Sequence, residues 1–249
     1  MNVIVCVKRV PDTETRIKIG EGGTAIDPAG VKFILSPYDE YAVEAALRIT
    51  ESAGEGEVTL VTLGDDASQE TLRAGLAMGA HKAVLLEGAV GMDGLATAKG
   101  LVTELEGADA PLILFGVKAA DGDQQQVGPM VATLLGRACV TGVTEFALGD
   151  GTVTCQREVE GGVEVVEADL PAVVSITKGA YDPRYASLKG IMAAKRKPLE
   201  KKEAAAAAGR VSVAQLAEPP ARAAGKIVGE GADAAPELVR LLREEANAL

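Results

Sequence analysis

Between residues 3 and 116, short apolar runs alternate with segments of helical periodicity, and this alternation restricts the fold more than any other feature of the chain. The runs are residues 3–10, Glu57 to Leu63, Ala83 to Leu86 and residues 112–115. After Ser36-Pro37, a capping residue and a proline suited to the first helical position, Tyr38, Tyr41, Ala42, Ala45, Ala46 and Ile49 recur at helical spacing as far as Gly54. A second helix opens at Asp66 or Ser68 and runs to Gly79, and a third spans Gly94 to Leu105 with Leu95, Ala98, Val102 and Leu105 on one face. Strands joined through helices point to an α/β fold, a parallel sheet with helices on both faces.

The pattern changes beyond Arg137. Val143 to Leu148, Thr152 to Glu158, Val163 to Ala168 and Ala172 to Lys178 are separated by Gly-Asp-Gly, Glu-Gly-Gly and Asp-Leu-Pro, which predicts an antiparallel meander added after residue 140. Two units are expected: an α/β domain over 1–178, and over 179–249 a basic segment with a C-terminal arm. The arm holds an Ala-rich stretch, Pro219-Pro220 and a last helix near Pro236 to Leu249, with Leu238, Leu241, Leu242 and Leu249 on one face. Lacking a core of its own, it is expected to lie on another subunit.

Charge and inventory exclude several function classes. The net charge of −11 argues against nucleic-acid binding and leaves room only for a local basic patch. That patch is Tyr181 to Lys202, seven basic residues against two acidic ones, a local +5 that leaves −16 for the remainder. Cys6, Cys139 and Cys155 lie far apart, so neither a disulfide framework nor a zinc site is indicated and a reducing cytoplasm is expected. No basic leader or membrane-length apolar run is visible, so no membrane insertion is expected. The single histidine, His81, reads as a solvated turn residue, which disfavours histidine-dependent triads.

The stretch with most chemical content is Gly116 to Met130, which follows the apolar run Pro111 to Phe115. Pro129 is tolerated only in a first helical turn, so a helix from about Gln126 to Arg137 is predicted. The amides of Gln124 to Gly128 then stand unpaired at the positive end of a helix dipole, outside the carboxyl end of a strand, where a phosphate binds well. Asp121 and Asp123 would repel that phosphate and are expected to receive ribose hydroxyls or backbone N–H groups. On residues alone, an ordinary strand-to-helix loop with Asp123 as N-cap accounts for the stretch equally. Neither GxGxxG nor GxxxxGK[ST] occurs elsewhere.

Val7-Lys-Arg-Val-Pro-Asp-Thr13, Ala119-Ala-Asp-Gly-Asp123 with Gln126-Val-Gly128, the region Arg157 to Ser175, and Asp182-Pro-Arg-Tyr-Ala-Ser-Leu-Lys-Gly-Ile-Met192 together resemble the beta subunit of electron transfer flavoprotein. The resemblance runs from residue 3 to about 197. It implies a Rossmann-like fold of the adenine nucleotide alpha hydrolase-like kind, and a heterodimer with an alpha subunit that holds most of a redox-active FAD. It further implies a structural AMP in this subunit. Carried over by motif, the AMP contacts would be Cys6; Ser36, Pro37, Tyr38 and Asp39; Leu63; and Gly116, Val117, Lys118, Ala119, Ala120, Asp121, Gly122, Asp123, Gln124, Gln125, Gln126 and Val127. Tyr38 occupies a position that in the family approaches the flavin ring, and Thr13 one where some members carry an aromatic. Arg184, Tyr185 and Leu188 match the family's partner-recognition segment, and Leu188 is expected to dock on the partner dehydrogenase.

The function implied is electron carriage from flavoprotein dehydrogenases, such as the acyl-CoA dehydrogenases of fatty acid oxidation, to a quinone-linked oxidoreductase, with no bond made or broken by this subunit. A neighbouring alternative is an electron-bifurcating relative with a second FAD in the AMP place, although Gln124-Gln125 departs from the small Thr-Ala pair expected there. A third, of another class, is a nucleotide-hydrolysing or adenylating enzyme, which needs a phosphate loop after the first strand where Lys8-Arg-Val-Pro-Asp12 stands instead. Apart from the resemblance, Ser36-Pro37 would cap a helix in any protein, and Cys6 and Leu63 would be core residues in any sheet.

Overall fold

The computed structural model describes residues 1–88, 91–205, 207–221 and 224–249. Its first half follows the alternation in the sequence: β1 (Val3–Cys6), the short ribbon β2 (Arg9–Pro11) and β3 (Phe33–Leu35), α1 (Pro37–Ala53), β4 (Val58–Gly64), α2 (Ser68–Met78), β5 (Lys82–Glu87), α3 (Gly94–Leu105), β6 (Leu112–Gly116) and α4 (Val127–Leu135). There follow β7 (Ala138–Leu148), β8 (Thr152–Val159), β9 (Gly162–Asp169), β10 (Ala172–Ile176), α5 (Leu188–Ala194), β11 (Leu199–Glu203) and α6 (Ala235–Glu244).

Nine strands form one sheet in the order β11-β5-β4-β1-β6-β10-β7-β8-β9, parallel from β11 through β7 and antiparallel from β7 to β9. Side chains alternate between two cores. Val3 and Val5 face α1 and α2, whereas Ile4 and Cys6 face α3 and α4. Each fully buried branched side chain contributes about 1.5–3 kcal/mol, so a sheet covered on both faces is where this apolar content stabilises most.

The expected single strand over residues 3–10 is two, β1 in the main sheet and β2 in a separate ribbon with β3, and two further features depart from expectation. Ala172 to Lys178 is not the last strand of a meander: β10 enters the sheet between β6 and β7, parallel to both. All five of its residues are buried, and such uninterrupted burial belongs to a central parallel strand rather than a half-exposed antiparallel one. The second departure is β11, which extends the parallel sheet at the edge beside β5. Its sequence Leu-Glu-Lys-Lys-Glu carries no apolar alternation, because an edge strand needs only backbone pairing and lysine there discourages further strands from adding.

The basic segment is thus attached to the sheet. Arg73 Nη1 donates to the carbonyls of Ala194 and Lys197 at 2.5 and 2.8 Å. Lys197 Nζ donates to the carbonyls of Leu76, Gly79 and Ala80 at the end of α2, where a cation complements the helix dipole. Part of the basic patch is therefore a half-buried helix cap. His81 is exposed, and its Nδ1 accepts the N–H of Val58 at 2.9 Å. No helix among the described residues is long and apolar enough to cross a membrane.

Candidate functional site at the carboxyl edge of the sheet

The ends of β1, β4 and β6 and the start of α1 converge at the carboxyl edge of the sheet, held by Asp39 in the first turn of α1. Its Oδ2 accepts the N–H of Lys8 at 2.7 Å and its Oδ1 the N–H of Gly116 at 3.1 Å, so one carboxylate joins the exits of β1 and β6 to the helix. Burial pushes Asp39 up to about 7, against the opposing pull of those two N–H donors. Gly116 permits the approach: a Cβ there would lie 2.4 Å from Asp39 Oδ1 and 2.6 Å from the Tyr38 carbonyl carbon.

Ser36 occupies the N-cap position of α1, but its hydroxyl makes no capping bond. The carbonyl of Ser36, not its side chain, takes the N–H of Asp39 at 2.9 Å. Ser36 Oγ is buried and has no partner among the described residues. A buried hydroxyl left unpaired costs on the order of 1–3 kcal/mol, which makes it an acceptor or donor in search of a ligand atom.

Beyond Gly116 the loop leads to α4. Among the described residues, the N–H groups of Gln124, Gln125, Gln126, Val127 and Gly128 have no protein acceptor, and α4 begins at Val127 as its proline requires. Gln126 stands at the N-cap position, so Asp123 does not. The left-handed positions of the loop are Asp123 (φ 50°) and Gln125 (φ 55°). A flexible Gly122 would be the expected residue in that conformation, yet Gly122 is not left-handed, and a Cβ on it would meet only Gln124 Cγ at 3.9 Å. Asp and Gln in this region each carry backbone strain, a frequent mark of ligand clamps.

The two loop aspartates are occupied by lysines rather than left for hydroxyls or N–H groups. Lys8 Nζ lies 2.7 Å from Asp121 Oδ2, and Lys118 Nζ lies 2.7 Å from Asp123 Oδ2. The hydrogen bond to Asp123 raises the Lys118 pKa, and the Lys118 ammonium also stands 5.5 Å from the Tyr38 ring centroid. Lys8, which motif reasoning passed over, joins the candidate site through its ion pair with Asp121. Its signal is position, since a lysine directly after the first strand of a parallel sheet stands at the ligand edge.

Cys6 is buried between β4 and β6, opposite Val61 and Phe115. Burial, and secondarily the charge of Asp39, hold its thiol well above the ordinary value, so it stays protonated and packs as an apolar group. Leu63 is half-buried against the α3–α4 core, over Gly100. Pro37, Tyr38 and the loop residues Val117 to Ala120 form the half-buried rim, and Asp121 to Gln126 are exposed. The structure thus brings Ser36 to Asp39 together with Gly116 and the following loop, whereas Cys6 and Leu63 lie beneath as supports.

A second cluster lies on the α1–α2 face. Arg184 is bound inward to Glu44 and Glu51 of α1, while Tyr185 and Leu188 are 100% and 84% exposed. Ser187 caps α5, its hydroxyl accepting the N–H of Gly190 at 3.0 Å, which leaves Leu188 on the first turn of α5 facing solvent.

A largely parallel α/β sheet with its convergent polar groups at the carboxyl edge is the Rossmann-like class, in which that edge receives ligands. Within that class the match is specific. A family model described as "Electron transfer flavoprotein domain" matches residues 24–207. "Electron transfer flavoprotein subunit beta" of Syntrophomonas wolfei is 40% identical over 225 residues, 90% of this chain and 88% of the relative. The protein of the same name from Bacillus subtilis is 38% identical over the full length of both chains. "Electron transfer flavoprotein subunit beta, mitochondrial" of Arabidopsis thaliana is 36% identical over 99% of each. The chain belongs to the electron transfer flavoprotein family, among its beta subunits, which are electron-transfer carriers and not enzymes.

Proposed function

We propose that this chain pairs with an alpha subunit to form a heterodimeric carrier that takes electrons from flavoprotein dehydrogenases, such as those acting on acyl-CoA in fatty acid oxidation, and delivers them to a quinone-linked oxidoreductase. AMP would be held structurally at the carboxyl edge of the sheet. FAD, bound mostly by the alpha subunit and shared at the interface, would supply the redox chemistry. The observation that carries the AMP site is the Asp39 brace, which joins the start of α1, where Ser36 Oγ is buried and unpartnered, to Gly116, from which the loop of free N–H groups departs.

The residues fit an adenine mononucleotide. The amides of 124–128 at the start of α4 suit a phosphate, and the lysine partners of Asp121 and Asp123 cancel charges that would otherwise repel it. Ser36 Oγ would gain the partner it lacks. Residues 1–178 would act as the nucleotide-binding body and 179–249 as recognition segment and arm. The exposed Val211, Val213, Ile227, Leu238 and Leu249 would be covered by the alpha subunit. Three free thiols suit a reducing cytoplasm.

Cofactor extraction tests this directly. The heterodimer co-purified from its native host, denatured and assayed by chromatography, should yield FAD and AMP in equal amounts. Two FAD and no AMP would transfer the chain to the electron-bifurcating reading, and absence of any adenylate besides FAD at a single equivalent would remove the loop assignment.

A further inference from the structure

A cavity opens on the α1–α2 face and reaches Pro37, at the rim of the carboxyl-edge site. It is a groove of about 690 Å³ between α1, α2 and the segment 183–195, within the size range of specific binding clefts. Its floor is apolar, made by Tyr41, Ala77, Met78, Ile191 and Ala194. Its walls are not electrically balanced. Arg73 and Arg184 line it, but Arg73 is spent on the carbonyls of Ala194 and Lys197, and Arg184 on Glu44 and Glu51. Glu40 and Glu70 line it as well, as does Lys195, and none of the three has an ion-pair partner among the described residues, so the two unpaired carboxylates outnumber the one unpaired ammonium. Glu40 is half-buried, and that burial raises its pKa, the sign of a carboxylate lacking a cation.

We propose that this groove receives an aliphatic or aromatic side chain flanked by a lysine or arginine, presented by the same dehydrogenase that takes Leu188. The apolar floor would bury the side chain, and the cation would offset the carboxylate charge of Glu40 and Glu70 that the single ammonium of Lys195 leaves unmatched. A protein segment is the occupant because the groove is continuous with the exposed recognition residues: Tyr185 itself lines it, and Leu188 begins the helix α5 that contributes Ile191 and Ala194. The interface is then reciprocal, Leu188 entering the dehydrogenase and a dehydrogenase side chain entering the groove. This inference rests on the carrier function proposed above.

The test uses the assembled, flavin-loaded heterodimer and the acyl-CoA-reduced flavoprotein dehydrogenase of the same host that reduces the wild type fastest. Ala74 lines the groove from an exposed position on α2, so Ala74→Trp fills the groove without entering the core. It should slow flavin reduction by roughly tenfold, the effect of losing one buried anchor at an interface. Glu40→Gln with Glu70→Gln should slow it by about threefold and flatten its dependence on salt. Melting temperature and reduction by dithionite should match the wild type in both. If Ala74→Trp melts early, the double glutamine variant decides. Leu188→Ala is run alongside: groove variants as fast as the wild type while Leu188→Ala is slow would overturn the groove and leave the docking function standing. If all three react at the wild-type rate, the recognition segment itself is misassigned.

Discussion

Arg184 closes on Glu44 with its backbone N–H, Nε and Nη2, at 3.2, 2.7 and 3.1 Å, and so fixes a chain segment to a helix 140 residues earlier. Glu44 is only 3% exposed. Burial alone would raise its pKa, but the hydrogen bonds from Arg184 and Arg48 outweigh that and hold it below the ordinary value. Glu51 binds the outer edge of the same guanidinium at 2.6 and 2.9 Å. Arg184 therefore positions the recognition segment, leaving Tyr185 and Leu188 to face outward.

Arg184→Leu should destabilise the chain by about 1–2 kcal/mol, less than a fully buried pair because the guanidinium is partly exposed. The Glu44 contribution has a definite sign in pH. A lowered carboxylate pKa means stability that is present above the unfolded value and lost as pH falls through the folded one. Wild type and Arg184→Leu should accordingly converge in acid. Urea unfolding at pH 7 and pH 4 measures both points, and an equal gap at the two pH values would show that Glu44 is not the partner that matters.

Asp39 has the opposite sign. Its pKa, raised to about 7, gives a contribution that is full below the unfolded carboxylate value, near 4, and disappears as pH climbs through about 7. Asp39→Asn removes this slope while also supplying only one carbonyl oxygen for the two N–H groups of Lys8 and Gly116. Melting temperatures over pH 4–8 should therefore fall less steeply with rising pH in the variant, beneath an overall loss of about 1–2 kcal/mol from the unpaired N–H. Identical profiles would mean that Asp39 is ionised throughout.

Gly116 and Gly122 separate fold from ligand. Gly116→Ala places a methyl against backbone at 2.6 Å and against Asp39 Oδ1 at 2.4 Å, so the brace must open. A loss of about 2–4 kcal/mol is expected, with loss of nucleotide in step. Gly122→Val meets only the Gln124 side chain. It should leave the melting temperature of the nucleotide-free protein unchanged and lower bound AMP, because a β-branched side chain blocks close approach of a ligand to the loop backbone. Full nucleotide content in Gly122→Val would move the ligand off this part of the loop.

These residues also show what a one-dimensional reading can reach. The parallel half was legible because burial on both faces leaves an apolar run, and Pro129 reported the start of α4 by a covalent constraint. β10 was misplaced because turn residues precede it on one side and nothing in four apolar residues and a serine says which neighbours they join. β11 left no apolar trace at all. At the site, motif matching led to Asp39 but not to its work. That depends on two N–H groups 31 and 77 residues away, and backbone donors have no sequence signature. Lys8 left only the signal of its position after the first strand, because its partner Asp121 is 113 residues distant.

Leu188 offers the sharpest test of the carrier function. At 84% exposure it contributes almost nothing to the fold, and Ser187 and Gly190 hold α5 in place without it. Leu188→Ala should leave folding, flavin content and reduction by a small chemical donor unchanged. Against the dehydrogenase, an apolar anchor seated in a partner pocket contributes on the order of 2 kcal/mol. At about 1.4 kcal/mol per decade, electron acceptance should slow by roughly tenfold or more. Added salt should slow wild type and variant by the same factor, because Lys189, Lys195 and Arg196 remain to steer the encounter in both. Rates measured by stopped-flow flavin absorbance across a salt series distinguish a lost anchor, two parallel lines, from a lost electrostatic contact, two converging ones. Converging lines, or a melting temperature that falls with activity, would assign Leu188 to the structure of its own subunit instead of the partner surface.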